Sequence, residues 1–202
     1  MIIFNERYTK SPVDGLLLFD DFIYASYDNR IWGVTGTGSA SMQNLNNGVL
    51  RVRANGNKTY EFNTTNIGAF DIAHNFICTW NARFSPAGTG GITECGMEGA
   101  GNQSTNWICW QRVVGTTNLI CQTSTGGNTT TIDSGIVADS NYHILEIRGS
   151  TGKLEFWYDN SLSQIITTDI PSTSVQPYIY CAGGNGSPSD CYTDYVQVTG
   201  DR

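Results

Sequence analysis

Glu94 and Glu98, four residues apart in the run from Gly91 to Glu98, are the one arrangement in this chain that resembles a catalytic carboxyl pair. Two carboxyls can divide acid and base work when their surroundings keep one protonated and leave the other ionised. Side chains alternate along a strand, so Glu94, Gly96 and Glu98 share one face while Thr93, Cys95 and Met97 share the other. A second strand from Asn106 to Val114 carries Trp107, Cys109 and Gln111 on one side and Ile108, Trp110 and Arg112 on the other. Gly115 to Asn118 suits a hairpin turn into a third strand through Leu119 and Cys121. These three strands predict a piece of sheet with one acidic and one apolar face.

Other chemistry is thinner. Asp20 and Asp21 are hard oxygen donors of the kind that hold calcium, the one cofactor the chain suggests, although such a pair is more often a solvated turn. His74 and His143 fall within strand patterns, where a lone histidine is structural. The Gly-rich segments 36–38 and 88–91 lack the Lys-Ser/Thr and the helix of a phosphate site. Six cysteines without Cys-x-x-Cys spacing argue against zinc; local placement pairs Cys78 with Cys95, Cys109 with Cys121 and Cys181 with Cys191 as candidate disulfides. Trp107 and Trp110, with Trp157, Tyr158 and Tyr180, offer flat faces against which sugar rings stack. Glu94, Glu98, Trp107 and Trp110 are therefore the carbohydrate-binding candidates.

The elements that must position these residues are strands. No window of the 202 residues sustains a helical period, and Gly, Asn, Thr and Ser separate short alternating runs such as Val49 to Ala54, Thr59 to Asn63, His74 to Phe84, Tyr142 to Arg148 and Lys153 to Asp159. Roughly a dozen strands predict an all-β jelly roll. Residues 16–202 are expected to form one β-sandwich domain, and residues 1–15 an N-terminal arm that packs on a neighbouring subunit or leads into it. A net charge of -7 with no Lys/Arg cluster excludes a phosphate-binding surface and hence nucleic acid. No stretch reaches the ~20 apolar residues of a membrane helix, and the first ten residues do not read as an export signal.

Several segments carry a family resemblance: Asp20-Asp-Phe22, TWNARF, DSGIVADSNYHILEIRG, KLEFWYDN, IPSTSVQPYIY and the closing DYVQV. Together they resemble the concanavalin A-like lectin/glucanase superfamily, and within it the laminin-G-like domains of tailed-phage virion proteins. The resemblance implies two curved antiparallel sheets with a concave binding face. It implies a non-enzymatic virion surface protein, a capsid decoration, head fibre or tail component, homo-oligomeric, assembled in host cytoplasm against capsid or tail proteins and binding host cell-surface glycan. Its alternative is a retaining glycan hydrolase: laminarinase-type glucanases of the superfamily carry Glu-x-Asp-x-Glu, the first Glu as nucleophile and the last as acid/base. Glu94 and Glu98 keep that spacing, while Gly96 stands where the Asp would be. With that Asp missing, the two glutamates are expected to be solvated side chains on an open strand face.

Overall fold

The computed structural model describes residues 16–22, 28–43, 48–56, 58–64, 70, 72, 74–84, 91–99, 105–184 and 186–200. The expected arm, residues 1–15, lies outside them. Among the described residues the chain runs β1 (Leu16–Asp20), β2 (Gly33–Gly36), β3 (Ser39–Gln43), β4 (Val49–Ala54), β5 (Thr59–Asn63), β6 (Phe76–Phe84), β7 (Ile92–Gly99) and β8 (Trp107–Val113). It continues through β9 (Asn118–Thr125), β10 (Asn128–Val137), β11 (His143–Ser150), β12 (Lys153–Tyr158), β13 (Ser161–Ile166), β14 (Val175–Ala182) and β15 (Ser189–Gly200).

The strands form two antiparallel sheets. One has the order β13-β12-β11-β6-β15-β4-β3, with β1 on the second half of β15 beyond a register shift between Thr193 and Tyr195. The other is β10-β9-β8-β7-β14-β5-β2. Period-two alternation makes the sandwich. In β6 every odd-placed residue, Phe76, Cys78, Trp80, Ala82 and Phe84, is buried between half-exposed neighbours. Opposite it, Tyr60, Phe62, Cys95, Met97, Ile108, Trp110, Cys121, Ile179 and Cys181 close the core from the second sheet. Full burial of one such large apolar side chain stabilises by about 1.5–3 kcal/mol. The all-β jelly-roll expectation is met.

Turn chemistry matches the strands it joins. Asp159 and Asn160, both with positive φ, form the two-residue hairpin between β12 and β13, the geometry that follows the twist of the paired strands. The Asp159 carboxylate then receives the Ile144 amide at 2.9 Å and meets His143 Nδ1 at 2.7 Å, while Asp139 meets Nε2 at 2.9 Å. His143 is thus held between two carboxylates. The short β2, largely exposed, and β3 were not readable in the sequence, because four or five residues are too short a run to establish a period. Gly36 to Gly38 is the turn that carries the chain from β2 in one sheet to β3 in the other.

Two sequence expectations are corrected. All six cysteines are free and buried. Cys78 and Cys95 lie on strands of opposite sheets, not on neighbouring strands. Cys109 pairs with Gln122 and Cys121 with Trp110, so Cys109 and Cys121 point to opposite faces of their sheet and cannot join. Cys181 instead donates to the Val52 carbonyl at 3.4 Å, and Cys191 lies 3.7 Å from the Thr193 hydroxyl. Burial pushes all six thiols above their ordinary range.

Asp20 is not an open calcium ligand. Its Oδ1 accepts the Phe22 amide at 2.9 Å and its Oδ2 the Trp32 indole at 2.8 Å, which fixes the Trp32 ring against Phe62 with 4.6 Å between centroids. Asp21 beside it is half-buried, and no group of three or more metal-ligating side chains exists among the described residues. A thiol titration follows from the burial. Native protein should leave all six cysteines unreacted toward a disulfide-exchange reagent, and denaturation without reductant should release all six; fewer than six on denaturation would reveal disulfides.

Candidate active site

Three rungs of directly paired residues cross the second sheet on the face turned away from the core. The first runs Asp133, Ile120, Gln111, Glu94, Tyr180, Glu61, Thr35. The second runs Thr131, Gln122, Cys109, Gly96, Tyr178, Asn63, Gly33. The third runs Thr129, Ser124, Trp107, Glu98, Gln176. Antiparallel pairing puts opposite residues on one face, so each rung is a row of neighbours. The expected partition of β7 and β8 into an acidic and an apolar face is met residue by residue.

Gly96 is dictated by that crossing. A Cβ on it would sit 2.0 Å from the Ile108 carbonyl oxygen and 2.7 Å from the Cys109 Cα, so no aspartate fits this backbone. Cys109 and Tyr178, both fully buried, flank it on the rung between the two glutamates. β7 keeps unbroken register with β8 and β14, so no bulge draws the glutamates together.

The glutamates are not the solvated pair the sequence suggested: Glu94 is 8% exposed and Glu98 1%. Glu94 receives one donor on each oxygen, the Gln111 amide at 2.6 Å on Oε1 and the Tyr178 hydroxyl at 2.8 Å on Oε2. Glu98 receives two donors on one oxygen, Asn63 at 2.8 Å and Gln176 at 3.1 Å, both on Oε1, and none on its buried Oε2. Burial raises the proton affinity of Glu94, opposed by Gln111 and Tyr178, whose bonds favour the anion. Burial and then the charge of Glu61 push Glu98 up to about 8. Glu61 is itself raised by burial, with Asn63 and Glu98 acting to hold it down.

Around this centre the face opens. Trp107, half-buried, donates its indole N–H to Gln122 at 2.9 Å, and Gln122 donates to Thr131 at 3.0 Å. Tyr180 and Glu61 are likewise half-buried. Trp107 is therefore partly exposed on this face, whereas Trp110 is not on it. Trp110 is fully buried in the core, edge-on to Phe156 at 5.5 Å. Trp157 lies in the other sheet under the Arg148 guanidinium at 3.8 Å, and Tyr158 stacks on His143 at 4.6 Å. Glu61, Asn63, Gln176 and Tyr178 went unremarked in the sequence, and Gln111 was noted only as sharing a face with Trp107 and Cys109. Glu61 and Asn63 do alternate with the core residues Tyr60 and Phe62, but which strand lies two places from β7 is not written in that alternation.

Comparison with protein-family models and with curated proteins finds no match. Solved structures do match. The chain superposes over 93% of its length on all of an endo-acting O-glycanase of human gut microbiota that initiates mucin breakdown, with TM-score 0.72 and 14% identity. It does so over 93% of its length on 98% of the endo-1,3-β-glucanase (laminarinase) catalytic domain of Thermotoga petrophila RKU-1, with TM-score 0.71 and 16% identity. A third likeness, at TM-score 0.67 and 16% identity, covers 93% of this chain and all of Rv0315, a pseudo β-1,3-glucanase and immunostimulatory antigen of Mycobacterium tuberculosis. The fold is the concanavalin A-like jelly roll of glucanases. This corrects the expectation of a non-enzymatic virion surface protein: the matched folds are those of glycan-cleaving enzymes and a pseudo-glucanase, and the tailed-phage setting finds no support in them.

Two outcomes test this geometry. Trp110→Ala should cost about 3–5 kcal/mol as a core truncation, and Trp107→Ala about 1 kcal/mol, as for an average substitution; equal urea midpoints for the two would refute the assignment of faces. For Glu98 the folded chain binds its proton more tightly than the unfolded chain, whose carboxyl has an ordinary value of 4.5. Its contribution is therefore fully present below pH 4.5 and lost as pH rises toward 8. Urea midpoints across that window should fall with rising pH, and the fall should be smaller in Glu98→Gln; parallel profiles would contradict the assignment.

Proposed function

We propose that the chain is an endo-acting glycan hydrolase that cleaves a β-linked glucan with retention, with Glu94 as nucleophile and Glu98 as acid/base. The observation that carries this reading is the unequal treatment of two glutamates on one face. Glu94 has a donor on each oxygen, which favours a carboxylate, while Glu98 is buried beside a third carboxyl, which favours the acid. Such a division is what glycoside cleavage requires of a carboxyl pair. The likeness of the fold to an endo-acting O-glycanase and a laminarinase supports endo-acting glycan cleavage, and the laminarinase supports a β-glucan as the substrate.

In the first half-reaction Glu98 delivers its proton to the glycosidic oxygen as that oxygen leaves the anomeric carbon. A Glu94 oxygen bonds to the same carbon from the opposite side. Water then opens the glycosyl ester, its proton passing to Glu98 and its oxygen staying on the sugar, which regenerates both groups. A retaining pair needs its carboxyls about 5–5.5 Å apart. Four residues along a strand separate the Cα atoms by ~13 Å. Without a bulge, side-chain reach must close the gap, and Glu98 already leans toward the middle rung, where Asn63 holds it. Trp107 and Tyr180, on either side of the pair, offer ring faces for neighbouring sugars.

Incubation with laminarin, mixed-linkage β-glucan and mucin O-glycans should release reducing ends from at least one of them, with the β-anomer appearing first by proton NMR. Glu94→Gln and Glu98→Gln should each lower kcat by about 10²-fold or more. The alkaline limb of kcat/KM should fall near pH 8. No product from any of these glycans by folded protein, or unchanged turnover in Glu94→Gln, would overturn the reading; binding without cleavage would leave only a recognition surface.

A further inference from the structure

Glu61 lies on β5, two strands from the glutamate pair, and no sequence feature assigns it a role. Asn63 ties it to Glu98: the one amide Nδ2 donates to Glu61 Oε1 at 2.5 Å and to Glu98 Oε1 at 2.8 Å. Gln176 also donates to Glu98 Oε1, at 3.1 Å. Both donors that reach Glu98 thus converge on one oxygen, and Oε2 is buried with no donor at all. A buried anionic oxygen without a donor keeps its full desolvation penalty. That oxygen is satisfied if it carries a proton and donates it. The carboxyl tied to Glu98 is Glu61, which accepts from the same Asn63 amide.

The surrounding charges leave no other means of neutralisation. Glu61 is the titratable group that bears on Glu98, and Glu94 on β7 and Tyr180 on β14 are those that bear on Glu61. Among the described residues, no Lys or Arg pairs with Glu61, Glu94 or Glu98. One shared proton then removes half of the charge of two carboxyls bridged by one amide and leaves a single anion between them. Gly96 adds a reason from packing: with no side chain possible there, β7 cannot supply a carboxyl of its own between Glu94 and Glu98.

We propose that Glu61 is a positioning residue for the acid/base: acting from β5, it accepts a hydrogen bond from the protonated Oε2 of Glu98 and so keeps the proton on that glutamate. The inference rests on the hydrolase reading for its catalytic meaning, but the proton it assigns exists with or without turnover. Glu61 touches no reacting atom in this scheme; it acts through Glu98.

The test is carboxyl NMR on [13C]Glu-labelled full-length protein, with the Glu98 resonance assigned by its loss in Glu98→Gln. In the wild type Glu98 should titrate near 8. In Glu61→Gln that titration should move down by about 1–3 pH units, and the alkaline limb of kcat/KM should move with it. Glu61→Asp, which keeps the charge, should recover part of the shift. Urea midpoints establish that each variant is folded. If Glu61→Gln does not fold, the wild-type titration decides: a Glu98 carboxyl titrating at its ordinary value refutes the proposal. An unmoved titration in folded Glu61→Gln refutes it equally. A moved titration in a protein that cleaves no glycan sinks the hydrolase reading and leaves the proton assignment standing; cleavage with an unmoved titration does the reverse.

Discussion

Three carboxyls, Glu61, Glu94 and Glu98, share one sheet face without a cation among the described residues to neutralise them, and the chemistry of that face depends on how the conflict is resolved. The means are neutral. Gln111, Tyr178, Asn63 and Gln176 supply the hydrogen bonds, and a proton replaces the missing positive charge. A lysine or arginine in the same place would hold both Glu94 and Glu98 ionised, and the pair would lose the asymmetry that acid/base work needs. Amides and a phenol instead allow one carboxyl to remain an anion while another keeps its proton.

That resolution is possible only because the opposite face of the same strands is committed to the core. Cys95, Met97, Ile108, Trp110, Ile179 and Cys181 anchor β7, β8 and β14 against the first sheet, and each fixes the register of its neighbours. A slip of one residue would turn the glutamates inward and the apolar side chains out, which the core forbids. Gly96 carries the same constraint at closer range: the strands approach so tightly over it that the position is closed to any side chain. The rigidity of the rungs is a property of the packing beneath them.

The departures from the sequence reading share one cause. Glu94 and Glu98 read as solvated because an outward-facing residue on a sheet is ordinarily wet, yet neighbouring side chains along and across the rungs close over this centre. Cys109 and Cys121 read as partners from their nearness in a hairpin, but a register in which Cys109 faces Gln122 sends them to opposite faces. Trp107 and Trp110 read as two candidates of one kind, and three residues of separation were enough to send one outward and the other into the core. The virion reading came from segment resemblance, which many chains with this sandwich share, and it gave way to the likeness of the whole fold to glucanases.

The sequence by itself determined what is local. Period-two alternation marked the long strands, their buried and outward faces and the placement of Glu94, Gly96 and Glu98 together, because side-chain direction along a strand depends on nothing beyond the strand. Turn residues such as those from Gly115 to Asn118 marked where strands end, because their backbone preference is intrinsic. Only the tertiary structure decided which strands lie side by side. The order β8-β7-β14-β5 brings Glu61 and Asn63 to Glu98 across at least 34 residues of chain, and sheet order of that kind is set by the packing of the whole core, to which no single segment holds the key.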